Sequence, residues 1–282
     1  MSANANASVS TSASTPASRS ASATVRKGAA AAARILGLPA VLIALWWWAA
    51  ASSGSFFLTD PGTIATTFAE VWVSERFLTD VLPSVGLLLT GYALASVLGV
   101  GVGVPLGMST RLRAAAEPVL EFLRAVPPPV LVPLLMLLVG LDASMRTAVI
   151  VSGCVWPVLL NTVEGVRAVD PVLADTCRVY GIRGRRRLGV LVLRSASPQI
   201  AAGLRQALSI AIILMVISEM FASSSGLGYA VVQFQRSFAI PEMWSGIVLL
   251  GLLGVVLSAA FARAERYALA WHRGLRAASR GE

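Results

Sequence analysis

Polar and ionisable side chains inside long apolar runs are where this chain could do chemistry, and three stand out: Arg205, Glu219 and Asn161. A charge in the middle of such a run is unfavourable by about 2.5–3.5 kcal/mol on insertion scales, so each needs a physical reason to be there. Glu219 comes just before the serine run 223–225. Two roles are open to it: a polar group lining a path, or a structural acceptor for loop backbone donors. Asn161 is open to the same two. Arg205 lies near one end of its run, where a guanidinium can reach the headgroup level. These groups do not cluster as catalytic acids would. The only lysine, Lys27, is followed by Gly28, so the Gly-Lys-Ser/Thr ending of a phosphate-binding loop is absent. The only histidine, His272, stands in the C-terminal tail, which excludes a His-Glu-x-x-His zinc site. No catalytic residue, metal or cofactor is expected.

The elements that must hold these residues follow from composition. Of 282 residues, 56% are hydrophobic and 13% charged, about half the charged share of a soluble domain. The excess gathers in six charge-poor runs, 31–52, 82–106, 118–139, 146–166, 199–221 and 243–264. Each is near the ~20 residues a helix needs to cross about 30 Å of hydrocarbon, and none alternates as a barrel strand would. The expectation is an all-α polytopic membrane protein with six transmembrane helices. Residues 1–30, rich in Ser, Ala and Thr, read as a disordered cytoplasmic tail. The run 31–52 reads as an uncleaved first helix, 53–81 as a periplasmic loop and 271–282 as a cytoplasmic tail.

The net charge of +9 follows topology. Arginines crowd the segments around 19–34, 111–113, 167–194 and 263–280, while the alternate loops carry Asp60, Glu70, Glu75, Asp80, Asp142 and Glu242 beside few cations. That asymmetry predicts a bacterial inner-membrane protein with both termini cytoplasmic, and no nucleic acid as partner. Gly99, Gly103 and Gly107 recur every fourth residue, a smooth stripe that lets another helix approach closely. Pro105, Pro127, Pro128, Pro129 and Pro133 remove backbone donors and are expected to bend or break their helices. Glu117 and Glu121, with Arg124, mark an amphipathic approach to the third run. Cys154 and Cys177 are expected as free thiols.

The most specific pattern lies in the cytoplasmic segment 167–198. It reads Val169-Asp170-Pro171, then Leu173-Ala174-Asp175-Thr176-Cys177-Arg178, then Gly181, and ends Leu191-Val192-Leu193-Arg194 with Pro198 after it. This resembles the loop of binding-protein-dependent ABC permeases, where Glu-Ala-Ala, a later Gly and an Ile-x-Leu-Pro ending frame a short helix that docks on an ATPase. Arg124 followed by Ala-Val-Pro-Pro-Pro, Pro157 with Asn161, Gly203-Leu-Arg205, and Glu219 followed by Ser225-Gly-Leu-Gly228 resemble the aliphatic sulfonate, taurine and nitrate branch. Asp175, Thr176, Cys177 and Arg194 depart from the family pattern, and the missing proline at 194 leaves the start of the fifth helix open.

The resemblance implies a type I importer transmembrane domain over 82–270, with 167–198 as the coupling loop. It implies a homodimer, cytoplasmic ABC ATPase subunits, an external substrate-binding protein and a small anionic solute as cargo. Asp170, Pro171, Asp175, Thr176, Cys177, Arg178, Gly181 and Leu193 are the residues it assigns to coupling. A helix with small residues on one side fits a groove on a partner, and Gly181 permits a sharp turn at its end. Two other readings stand beside this one: a self-sufficient channel or secondary carrier, and the same importer type handling a vitamin precursor.

Overall fold

The computed structural model describes residues 37–271; the expected tail over 1–30 and the C-terminal residues from 272 lie outside them. The chain forms two units, one ending at Gly62 and the other starting at Thr63. In the first, the described part of the first expected span is a shorter apolar helix, α1 (Gly37–Ser53).

After α1 come α2 (Pro61–Trp72), a π-turn at Phe77–Val81 that runs into α3 (Leu82–Met108), and α4 (Thr110–Ala125). A 3-10 turn, Pro128–Val130, leads into α5 (Leu131–Val139), followed by α6 (Ala143–Arg167) and α7 (Pro171–Val179). Then α8 (Gly184–Arg187) continues through the π segment Leu188–Leu193 into α9 (Arg194–Ala222), and α10 (Leu227–Arg236) and α11 (Ile240–Ala268) complete the order. All regular structure among the described residues is helical. Four stretches are long and apolar enough to cross a membrane: Phe77–Met108, Ala143–Arg167, Gly184–Ala222 and Ile240–Ala268.

The third expected span is not one helix. Thr110–Ala125 and Pro128–Val139 meet at a bend of 72°. Val126 and Pro127 are extended there, with ψ 117° and 124°. Three consecutive prolines lack backbone donors and push the residue before them out of the helical region, so the ladder cannot pass. Residues 118–125 therefore belong to α4, capped at its start by Ser109, whose Oγ accepts from Leu112 N. Ala116 and Leu120 of α4 pack on Leu106, Leu159 and Val163. The fifth span starts well before residue 199. At 194 the arginine keeps its N–H, which donates to Leu191 O, and the helix runs on where a proline would have stopped it.

The segment expected as a loop, 53–81, contains α2. Its Trp72 is 2% exposed, donates from Nε1 to Ser245 Oγ at 3.0 Å and meets Phe234 edge to face. Together with Val81, Leu227, Ala230 and Leu249 these rings close one end of the bundle.

The centre of the second unit is α6, packed between α3 and α9. Cβ atoms built on Gly91, Gly99, Gly103 and Gly107 would fall 2.7 Å from side-chain carbons of Ile150, Val158, Thr162 and Val166 in turn. Numbers rise together on both helices, so α3 and α6 run parallel. Between them the glycines bring backbone against side chain, which supplies dispersion where lipid offers no hydrophobic drive. On its other face α6 meets α9 antiparallel. Gly165 faces Ala196 and Gln199, Gly203 lies against Pro157 O and Asn161, and Gly153 against Leu214. Tyr92 OH donates to Leu204 O at 3.1 Å and ties α3 to α9 directly.

Candidate functional site

Helix α7 emerges four residues after α6 ends, and local sequence explains both its ends. Asp170 is the N-cap, its Oδ1 accepting from Val172 N at 2.7 Å, and Pro171 fills the first helical position, where its missing N–H is no loss. At the other end Gly181 adopts φ +67°. Ile182 N donates to Cys177 O at 2.8 Å and Gly181 N to Arg178 O at 3.1 Å, the paired closure of a Schellman motif. Nothing lies within 4 Å of a Cβ placed on Gly181, so the backbone conformation alone selects glycine there.

The surface of α7 is unusual for a segment outside the apolar runs. Val172, Val179 and Tyr180 are 69%, 84% and 77% exposed, and with Asp175 and Thr176 they border one cleft of about 350 Å³. Their spacing places them on one face. Leu173 is also exposed. Asp175 and Arg178 are both exposed and pair at 2.7 Å, a bond of little energetic weight in solvent. Cys177 is buried on the opposite side. Leu193 is half-buried in a separate cluster with Val104, Val166, Val192 and Ala196. Of the eight loop residues singled out from the sequence, Asp170, Pro171, Asp175, Thr176, Arg178 and Gly181 thus build the exposed helix and its caps, while Cys177 and Leu193 turn inward. The apolar members Val172, Leu173, Val179 and Tyr180 escaped that reading; their signal is four large apolar residues inside an arginine-rich segment.

The polar residues within the spans separate into two kinds. Glu219 is 1% exposed. Its Oε1 accepts from Ser84 Oγ at 2.6 Å and its Oε2 from Gly228 N at 2.8 Å. Leu227 N donates to Ser84 Oγ at 2.9 Å and Gly226 N to Asp80 Oδ1 at 3.0 Å. Three successive orphan donors at the start of α10 are thereby satisfied by side chains from the ends of two other helices, a structural acceptor arrangement. Gly226 sits at φ +111°, and a Cβ there would come within 2.6 Å of the Glu219 carboxyl. Beside this knot Arg146 donates from Nη1 to Ser223 Oγ at 2.8 Å. Asn161 is different: half-buried, it donates to Pro157 O at 2.8 Å and to Gln206 Oε1 at 3.3 Å, and Gln206 is exposed. Arg205 pairs with Glu265, joining α9 to α11. Among the described residues no group of three or more His, Cys, Asp or Glu is placed to hold a metal ion.

This arrangement is a bundle with a capped, partly apolar helix held outside it, and the chain as a whole is similar to known proteins. Residues 91–268 match the family described as binding-protein-dependent transport system inner membrane component. The putative aliphatic sulfonates transport permease protein SsuC of Bacillus subtilis is 30% identical over 236 residues, 83% of this chain and 86% of that protein. The taurine transport system permease protein TauC of Escherichia coli is 25% identical over 244 residues, 84% of this chain and 89% of that one. A chain of the MetNI methionine ABC transporter, solved in inward-facing conformations, superposes with a TM-score of 0.53 at 18% identity, covering 66% of this chain and 95% of that chain. With a bundle of this fold and a family match across most of its length, the chain belongs to the binding-protein-dependent transport system inner membrane components and is a multi-pass permease subunit of an ABC importer.

Proposed function

We propose that the chain works as a homodimer whose α7 helices each receive a cytoplasmic ATPase, and that an external binding protein delivers a small sulfonate-type anion to the opposite end. The exposed face of Val172, Val179 and Tyr180 carries this reading. Large apolar groups held in water on a nine-residue helix, with caps at both ends, are maintained against solvation and suit burial in a partner's groove. Because α7 follows α6 almost directly, a push on α7 is delivered to the helix that packs on both α3 and α9. The arginine asymmetry favours both termini and α7 in the cytoplasm. The exposed Asn161 and Gln206 face is the candidate path surface, shared with a second copy. The cargo class follows the relatives, permeases named for aliphatic sulfonates and taurine.

The test is capture of the partner ATPase by Val179→Asp, Tyr180→Ala and the double variant in detergent, with sulfonate uptake measured in cells. All three variants should insert at wild-type abundance, lose most ATPase capture and fail to transport. Full capture by the double variant would reject α7 as the docking element.

A further inference from the structure

We propose that the α7 end of the bundle holds a binding site for a phosphate-bearing anion at the inner membrane boundary. A cavity of about 330 Å³ opens where the ends of α3 and α6 meet the start of α4, the end of α8 and the π segment Leu188–Leu193. Arg113 of α4, Arg167 of α6 and Arg187 of α8 line it, each from a different element, and no carboxylate does. Arg167 pairs with Glu164 at 2.7 Å. Arg113 and Arg187 enter no ion pair among the described residues. Val166 and Val192 supply an apolar wall, so the cavity joins hydrocarbon to guanidinium over a few ångströms, as a lipid headgroup site must.

A second observation points to the same ligand. Thr110, the first residue of α4, also lines the cavity. The cap Ser109 Oγ accepts only from Leu112 N, so the N–H groups of Thr110 and Arg111 have no partner within the sixteen-residue helix. The positive end of the helix dipole and two unpaired guanidinium groups therefore converge on one space. Planar guanidinium forks bind phosphate oxygens in pairs, which distinguishes such a site from the diffuse attraction of a basic surface. The bound group comes either from an anionic lipid of the inner leaflet or from a soluble phosphate, and it would brace α4 against α8. The proposal depends on the membrane orientation given above only in naming the leaflet, and it is independent of the ATPase.

The experiment uses the full chain in detergent, with retained molecules counted by native mass spectrometry in micelles of phosphatidylcholine containing some phosphatidylglycerol. Wild type should retain phosphatidylglycerol selectively, and Arg113→Gln/Arg187→Gln should weaken retention by about thirtyfold, the combined effect of two basic residues near a surface. Arg187 is exposed, so Arg187→Gln alone removes one charge without touching packing, and it should show an intermediate loss. The control Arg185→Gln/Arg186→Gln removes equal charge from exposed residues that do not line the cavity and should behave as wild type. Displacement of the lipid by millimolar inorganic phosphate assigns the site to soluble phosphate; retention in its presence assigns it to the lipid. Equal loss in the control, or no selective retention by wild type, overturns the site.

Discussion

One methyl group placed at two neighbouring glycines of α3 should move stability in opposite directions. At Gly101 a Cβ meets nothing within 4 Å, whereas at Gly103 it would lie 2.7 Å from Thr162 Cβ, 2.9 Å from Thr162 Cγ2 and 3.0 Å from Leu159 O. Ordinary carbon contacts are about 3.5–4.0 Å, so the α3/α6 seam must open by roughly 1 Å to admit Gly103→Ala. Leu159 O belongs to the helix backbone and cannot rotate aside. Overpacking of this kind destabilises by about 1–3 kcal/mol, against about 1 kcal/mol gained by replacing a helical glycine with alanine. Gly101→Ala therefore keeps the gain, Gly103→Ala comes out roughly 0–2 kcal/mol less stable than wild type, and the two differ by about 1–3 kcal/mol. Thermal unfolding in detergent, followed by loss of the monodisperse peak, orders the three proteins as Gly101→Ala, wild type, Gly103→Ala. The pair Gly99→Ala and Gly103→Ala adds a second check. One opening of the seam relieves both, so the double variant should be less destabilised than the two effects summed. Equal melting of Gly101→Ala and Gly103→Ala would falsify the close approach of α3 and α6.

Other outcomes follow from the same geometry. At Gly181, where no atom crowds a Cβ, Gly181→Val should weaken ATPase capture by about tenfold through left-handed backbone strain alone, while Gly181→Asn should bind as wild type; equal binding by all three refutes the turn's role. Glu219→Leu leaves the buried Gly228 N–H without an acceptor, a loss of about 1–3 kcal/mol, and should melt below Glu219→Gln, which keeps one carbonyl oxygen; matching melting points count against the knot. Topology reporters fused at Glu75 and Arg185 should report opposite sides of the membrane, and the same side for both overturns the orientation.

What the sequence revealed and what it concealed divide along the range of the interactions. Continuous apolar runs are local, and the run 146–166 lies within the observed Ala143–Arg167 with only a few residues' difference. Hydropathy makes the third run look like one span because it averages across Pro127, Pro128 and Pro129, although those prolines themselves announce a break. The fifth run seems to start late because the basic cluster 183–187 looks like a loop, whereas 184–187 are the solvated first turn of a long helix. The four-residue glycine spacing was visible in the sequence; the partner side chains on α6 were not. Asp80 is legible only as one acid among those of an outer loop, since the partner it caps, Gly226, lies 146 residues away. Cys177 looked equivalent to Thr176 in the string, and only the rotation of α7 against the bundle separates the buried one from the exposed.

The seam between α3 and α6 behaves like a zip fastener. Its teeth fall at multiples of four residues on both sides, Gly91, Gly99, Gly103 and Gly107 receiving Ile150, Val158, Thr162 and Val166. A slide of one helix along the other by four residues, about 6 Å at ~1.5 Å per residue, again sets small groups against large ones over most of the length. Packing along the seam is thus nearly blind to which tooth meets which. The choice is made by bonds that have no counterpart one notch away: Tyr92 OH on Leu204 O, Ser84 Oγ on Glu219, and the N–H groups of Gly226 and Leu227 on Asp80 and Ser84. Glycines let the two helices close, and these few polar bonds, running from α3 and the turn before it to α9 and the start of α10, hold α3 at one notch.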